Sequence, residues 1–430
     1  MTAIHPPADF DAETYLDSLT HFGIQLGLER IEALLDVLGQ PQQGLPVIHV
    51  AGTNGKGSVC ALVSQAIAAA GYRVGRYTSP HLVDWRERIW VQGQWISIAN
   101  WNSVLWQVKQ ALQAYPAALD PPTQFEVVTA AAWLYFRQQA VEIAVIEVGL
   151  GGRLDSTNAG ISPCVSAITS IGWDHWQRLG NSLAAIAAEK AGIVRTGIPV
   201  VSAPQVPIVQ EVLRARAREL DAPLTVVEPA RAIALHLAEW QGQTYPRPFT
   251  GSVQLENLAI ALQILATLRQ AGWHLPENAI QTGFADARWP GRLQWVELCD
   301  RKVLLDGAHN VPAAIALRQY LDTLPYPQRP TTWLMAVLKT KDAAGICQHL
   351  LRKGDRLYAL PLLGHTAHLP AELIQIALAA QPHLSKTRAL ATLDHLPACL
   401  ESIPDGEGPI IACGSLYLLG DIMKRYLEWQ

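Results

Sequence analysis

The chain has 430 residues, half of them hydrophobic and 16% charged, with a formal net charge of -4. That composition excludes a disordered chain, and the length exceeds one ordinary core, so two or three domains are expected. The absence of a strong basic block gives no support to a nucleic-acid surface, and six scattered cysteines without a CxxC pair argue against a zinc cage, a redox motif or a disulfide framework.

In chain order, residues 1–15 lack a charged region followed by an apolar run, so no signal peptide is read. No later apolar stretch approaches the ~20 residues of a membrane helix, so a cytoplasmic protein without membrane attachment is expected. Pro46 to Val50 reads as a buried strand, Ser58 to Ala70 as a helix and Arg73 to Tyr77 as a second strand. Phe125 to Gln138 is helical, while Val141 to Val148 and Val165 to Ile171 are strands. Ser182 to Ala191 is a helix opened by Asn181 or Ser182, and Ile198 to Ser202 is a strand. A polar stretch with Gly and Pro leads into the helix Gln254 to Gln270. Pro290-Gly291 breaks the pattern, which restarts with strands at Lys302 to Leu305, Thr331 to Val337, Asp355 to Leu360 and Pro409 to Ala412, and a helix at Val311 to Asp322. The alternation predicts an α/β protein: a doubly wound, mostly parallel sheet domain over residues 1–288 and a smaller α/β domain over 289–430. A ligand cleft between two such halves is expected. The fourteen tryptophans carry no functional reading.

The strongest local signal is His49-Val-Ala-Gly-Thr-Asn54-Gly55-Lys56-Gly57-Ser58, a buried strand that enters glycines and then a helix. Glycines let backbone amides turn toward a phosphate, and the helix N-terminus adds partial positive charge. Lys56 would sit on the outer phosphates, and Asn54, Gly55, Gly57 and Ser58 complete the phosphate-binding loop. An ordinary Gly-rich turn is the alternative. Gly57 separates Lys56 from Ser58, unlike the common P-loop pattern, which weakens a GTPase or motor reading.

This loop resembles the nucleotide loop of the folylpolyglutamate synthase family, within the Mur ligase superfamily. Six further segments are similar to the family's pattern in the same order: Ser79-Pro-His-Leu82, Glu147-Val-Gly-Leu-Gly-Gly-Arg-Leu-Asp155-Ser-Thr-Asn158, Thr169-Ser-Ile-Gly-Trp-Asp174-His175, Glu189-Lys190-Ala-Gly-Ile193, Trp289-Pro-Gly-Arg292 and Leu305-Asp306-Gly-Ala-His309-Asn310. The resemblance implies a P-loop-type first domain, a Rossmann-like second domain, and an ATP-dependent ligase. The carboxylate of a folate-type acid becomes an acyl phosphate, which the amine of L-glutamate attacks. Dihydropteroate and reduced folates are the implied acids, with a bifunctional dihydrofolate and folylpolyglutamate synthase favoured over tail extension alone. Two Mg2+ ions and a monomer are further implications.

The resemblance gives Glu147, Ser79 and His175 as Mg2+ ligands. On the residues alone, Glu147 ends a buried strand at the sheet's C-terminal crevice, with a cap or a partner of Arg153 as the lesser reading, while Ser79 reads as a turn serine and His175 as a hydrogen-bonding loop histidine, since Mg2+ prefers hard oxygens. Lys190 is implied to be catalytic as a carbamate; its bland reading is a lysine near a helix C-terminus. Asn257, Arg292 and Asp306 are implied ATP contacts, and His309 a catalytic group near the transferring phosphate. Asn257 reads otherwise as a surface asparagine. If these groups come from the second domain, closure must precede chemistry. The segments Gly27-Leu28, Thr123 with Phe125 and Glu126, and Leu154-Asp155-Ser156 match folate-binding segments of bifunctional members; Phe125 and Asp155 read equally as core and turn residues. A cell-wall ligase of the same superfamily and a nucleotide switch are the rival readings.

Overall fold

The computed structural model describes residues 6–20, 23, 25–325, 329–404 and 408–427. The reading of the first fifteen residues falls partly on residues 1–5, which lie outside the described residues. The chain forms two compact units. The first comprises Met1–Ile171, Leu179–Pro248 and Leu255–Arg288; the second comprises Gly172–Arg178, Phe249–Gln254 and Trp289–Gln430.

The first unit is built on eight strands: β1 (Val47–Ala51), β2 (Val74–Tyr77), β3 (Ile89–Val91), β4 (Gln94–Trp95), β5 (Ile143–Glu147), β6 (Pro163–Ile168), β7 (Val200–Ser202) and β8 (Leu224–Val226). Their order is β4-β3-β2-β5-β1-β6-β7-β8, parallel from β2 to β8 and antiparallel at the β3–β4 edge. Every residue of β1 and β5 is buried, as strands covered on both faces require. On one face Val47, Tyr77, Ala144 and Ile146 join a core with helices Ile98–Ala111 and Gln124–Gln138. Helix Lys56–Ala69 packs on β1, β2 and β5, and helix Glu277–Asp286 packs on that helix in turn. A Cβ at Gly283 would lie 2.5 Å from the Ala66 Cα, so only glycine lets these two helices approach so closely.

The polar stretch before residue 254 is not a plain connection. It holds a three-stranded antiparallel sheet of β9 (Arg231–Ala234), β10 (Leu237–Trp240) and β11 (Gln243–Pro246). All of β9 is exposed, so it shows no apolar alternation that a sequence reading could catch. The β10–β11 turn is Gln241-Gly242, with φ of 49° and 79°, and the β3–β4 turn is Gln92-Gly93, with φ of 49° and 89°. Positive φ at both central residues is the type I′ geometry that suits the strand twist.

The second unit has a six-stranded sheet of β12 (Gln294–Leu298), β13 (Arg301–Leu305), β14 (Thr332–Met335), β15 (Arg356–Ala359), β16 (Lys386–Ala389) and β17 (Ile410–Cys413). The order is β12-β13-β17-β14-β15-β16, with only the β12–β13 pair antiparallel. Leu304, Trp333, Met335, Leu357 and Ile411 form the centre of its core. Together the units make a mixed α/β protein with a large parallel-dominated sheet and a second, mixed one. Among the described residues no helix is long and apolar enough to cross a membrane.

A buried polar chain joins β1 to the turn after β5. Thr157 Oγ1 donates to Asp155 Oδ1 at 2.5 Å, so at 2.9 Å it accepts from His49 Nε2. His49 is therefore protonated on Nε2, and its buried Nδ1 has no hydrogen-bond partner. Burial, helped by the charge of Arg195, lowers the His49 pKa from 6.5 to about 3. The sign follows from linkage: the unfolded chain binds this proton below about pH 6.5 and the folded chain does not. The stability is full above 6.5 and falls by about 1.4 kcal/mol per pH unit toward 3. Urea unfolding at pH 7 and pH 5 should show wild type losing more stability than His49→Gln. Equal losses would refute this assignment.

Candidate functional site

Strand β1 delivers its loop between β5 and β6, at the C-terminal edge of a parallel sheet, where ligands of such folds bind. Gly52 and Gly55 have φ of 145° and 93°, conformations that only glycine adopts without strain. The loop is tied down by Thr53 N donating to Ser170 O at 2.8 Å. Asn257, 5% exposed, presses on the loop: a Cβ at Gly55 would collide with its Oδ1. The surface reading of Asn257 is thereby replaced by a buried contact with the phosphate loop.

Two ammonium groups meet at one carbonyl. Lys56 Nζ donates to Gly52 O and to Thr53 O, both at 3.2 Å, and Lys190 Nζ donates to Gly52 O at 2.8 Å. Lys190 is buried in the last turn of helix Leu183–Ala191. Glu147 ends β5, and its Oε1 lies 3.8 Å from Lys56 Nζ. Its Oε2 accepts from Ser79 N at 3.2 Å, because β2 and β5 are neighbours and Ser79 lies just past the end of β2. Arg153 pairs instead with Glu189, at 2.7 Å. Loop, lysines, carboxylate and serine thus form one cluster in the first unit.

The segments expected to bind the acid also come together. Arg30, two residues after Leu28, pairs with Glu126 at 3.1 Å, and Gly27 has φ of 145°. Phe125 packs on Gly149 of the Gly-Leu-Gly-Gly turn, where a Cβ would lie 2.5 Å from its ring. Several polar groups already have internal work. Thr123 and Glu126 form a reciprocal cap on helix Gln124–Gln138, Thr123 N donating to Glu126 Oε2 at 2.7 Å. Asp155 accepts from Leu150 N at 2.7 Å and from Thr157 N at 3.0 Å, and burial raises its pKa above the usual carboxylate value. Ser156 is buried beside it, and Leu154 is half-buried. Asp155 serves as a turn residue, whatever else it contacts.

In the second unit Arg292, Asp306, His309 and His175 are grouped with three residues that the sequence reading did not single out. Asp306 accepts from Leu293 N at 3.0 Å and Ala308 N at 2.9 Å; burial raises its pKa, and the charge of Arg292 opposes that rise. A Cβ at Gly307 would collide with Arg292 Nη1. His309 Nδ1 donates to Gly307 O at 2.7 Å. The segment Gly172–Arg178 belongs here: Gln177 Nε2 donates to Thr340 O at 3.2 Å, and Gly172 packs on Pro312. His175 has φ of 50°, and its Nε2 faces Lys341 Nζ at 3.2 Å. An ammonium has no acceptor, so that nitrogen carries the lone pair. Buried Asp174 accepts from Lys341 Nζ at 2.6 Å and from Asn310 Nδ2 at 3.0 Å. Lys341 lies in the loop after β14, and nothing in its local sequence sets it apart from Lys339. Among the described residues no three His, Cys, Asp or Glu side chains are grouped as a metal site.

The family model for the Mur ligase middle domain matches residues 50–201, and that for the dihydrofolate synthetase C-terminal domain matches residues 294–425. A probable dihydrofolate synthetase of Schizosaccharomyces pombe is 35% identical, over 94% of this chain and 99% of that protein. A dihydrofolate synthase/folylpolyglutamate synthase of Bacillus subtilis is 32% identical, over 96% of this chain and 98% of that protein. A solved structure of Mycobacterium tuberculosis folylpolyglutamate synthase, complexed with ADP and AMPPCP, superposes with a TM-score of 0.83 at 31% identity, covering 96% of this chain and 98% of that one.

Proposed function

This chain belongs to the folylpolyglutamate synthase/dihydrofolate synthase family, and we propose that it joins the amine of L-glutamate to the carboxylate of a folate-type acid, cleaving ATP to ADP and phosphate. It is an ATP-dependent ligase of the Mur type. A carboxylate oxygen of the acid attacks the γ-phosphorus, the bond to ADP breaks, and an acyl phosphate forms. The glutamate amine then attacks the acyl carbon, phosphate leaves, and the amine loses its proton. Both steps move negative charge between oxygens, so cations and oriented N–H groups carry the catalysis.

The observation that carries this reading is the convergence of Lys56, Lys190, Glu147 and Ser79 on the Gly52–Gly55 loop. Backbone amides of the loop and the N-terminus of helix Lys56–Ala69 would cradle the phosphates, and Lys56 would follow the charge of the γ-phosphate. The Glu147 carboxylate and the Ser79 hydroxyl are hard oxygen donors side by side, a set that suits Mg2+ completed by phosphate oxygens and water. When bound there, Mg2+ would neutralise phosphate charge. His175 would have to release Lys341 before its Nε2 could serve as a ligand. In the second unit Arg292 and Asp306 would contact the nucleotide, and His309 would present Nε2 to the transferred phosphoryl group.

The acid would bind along Gly27-Leu28, Thr123 to Glu126 and Leu154 to Ser156, with Phe125 offering a flat face to the heterocycle. The Arg30–Glu126 pair supports this by joining the first two segments. The proposal extends to both activities, dihydrofolate synthesis and tail extension, in a cytoplasmic monomer. Its test is glutamate-dependent ADP release with ATP and Mg2+, offering 7,8-dihydropteroate or a reduced folate. Turnover with both is expected, and turnover with the folate alone would reduce the reading to tail extension. No turnover with either, by folded protein that binds ATP, would overturn it.

Lys190 is proposed to be carbamylated, which would turn a buried cation into an anionic oxygen donor. Protein equilibrated with 13C-bicarbonate should show a carbamate resonance that Lys190→Ala lacks. That variant should also lose about 100-fold in turnover. A wild-type spectrum without the resonance would leave Lys190 as the ammonium on Gly52 O.

A further inference from the structure

The chemistry above uses His309 but neither Asp174 nor Lys341, although these two form the most buried ion pair of the second unit's loop cluster. Their side chains are 8% and 7% exposed, and Lys341 Nζ lies 2.6 Å from Asp174 Oδ1. A carboxylate so far from water needs several partners, and Asp174 has them. Its own loop supplies His175 N to Oδ1 at 2.9 Å, and Asn310 Nδ2 reaches Oδ2 at 3.0 Å. Asn310 is doubly committed, because its Oδ1 accepts from Ala313 N at 3.0 Å and so opens the helix that follows His309.

The remaining edge of Asp174 faces the imidazole. His309 Nε2 is 3.7 Å from Asp174 Oδ2, while Nδ1–H is held by Gly307 O at 2.7 Å. The ring is thus fixed at one end by its own loop and faces at the other a carboxylate that Lys341 and Asn310 hold still. We propose that Asp174, anchored by Lys341, is a positioning residue that holds the ring plane of His309 for phosphoryl transfer. Neither residue touches substrate in this role; both act through His309. The inference rests on the ligase reading above.

The bland alternative is that the pair merely pins Gly172–Arg178 to the second unit. Three variants separate the two roles. Asp174→Asn keeps the shape and removes the charge, Lys341→Met removes the other charge, and the double variant leaves no buried charge unpartnered. Positioning predicts that kcat for glutamate-dependent ADP release falls about 100-fold in Asp174→Asn and in the double variant, with KM for ATP and for glutamate within about twofold of wild type. The double variant should recover the wild-type melting temperature yet not its kcat. A pinning role predicts that kcat recovers with stability, and a double variant within about threefold of wild-type kcat would overturn the proposal.

A second readout needs no turnover. Long-range 1H–15N spectra should show one sharp set of His309 ring signals, assigned by its absence in His309→Gln, in wild type and exchange-broadened signals in Asp174→Asn. Ring signals equally sharp in both would also overturn the proposal. A wild-type protein that shows the single ring environment but no glutamate-dependent turnover would instead count against the ligase reading.

Discussion

Lys56→Ala should lower kcat/KM for ATP by about a thousandfold while the protein remains folded. The ammonium sits at the start of helix Lys56–Ala69, held by Gly52 O and Thr53 O and 3.8 Å from Glu147. Alanine leaves the loop's backbone amides in place, so nucleotide would still bind, although more weakly. It removes the cation that can follow the γ-phosphoryl group as charge shifts toward the acid. It also leaves Glu147 without this counter-charge. The measurement is steady-state ADP release against ATP concentration, with near-ultraviolet circular dichroism as the folding control. A variant within tenfold of wild type would remove Lys56 from the proposed chemistry.

Gly52→Ala should destabilise the protein by about 4 kcal/mol. The backbone at Gly52 has φ of 145°, and a Cβ there would land on Thr169 Oγ1, with Thr169 Cβ at 2.9 Å and Thr169 N at 3.1 Å. Thr169 is fully buried, and its N donates to Ala51 O at 2.8 Å, so it has little room to retreat. Any adjustment must therefore come from the loop, and it would turn the carbonyl that holds both Lys56 and Lys190. Urea unfolding measures the loss, and a fluorescent ADP analogue measures the weakened nucleotide site. An unfolding free energy within 1 kcal/mol of wild type would show that the loop absorbs a methyl group, contrary to this argument.

The sequence made the parallel sheets legible because buried strands read as continuous apolar runs between caps and glycines. β1, β5 and the helix from Val311 to Asp322 are examples, each found within about two residues. The hairpins were not legible. Gln92-Gly93, Gln241-Gly242 and Cys299-Asp300 all turn with two positive φ values, yet none is the Asn-Gly pair that announces such a turn. The candidate site was legible wherever a glycine loop or a strand-end carboxylate carried it, as at Gly52 and Glu147. It was hidden where the role depends on a partner distant in sequence. His175 could be marked as functional, but its neighbour Lys341 is 166 residues away. Asp174 stood in a quoted motif, yet only its place between Lys341, Asn310 and His309 gives it a physical task.

The second unit is drawn from three separate stretches of chain, Gly172–Arg178, Phe249–Gln254 and Trp289–Gln430. It is therefore not a tail that one cut could release. A fragment beginning at Trp289 would lack Gly172–Arg178, and with it both Asp174 and His175, the groups that Lys341 Nζ meets. The second unit's chain is interleaved with that of the nucleotide-loop unit, so no single break in the backbone leaves both units whole.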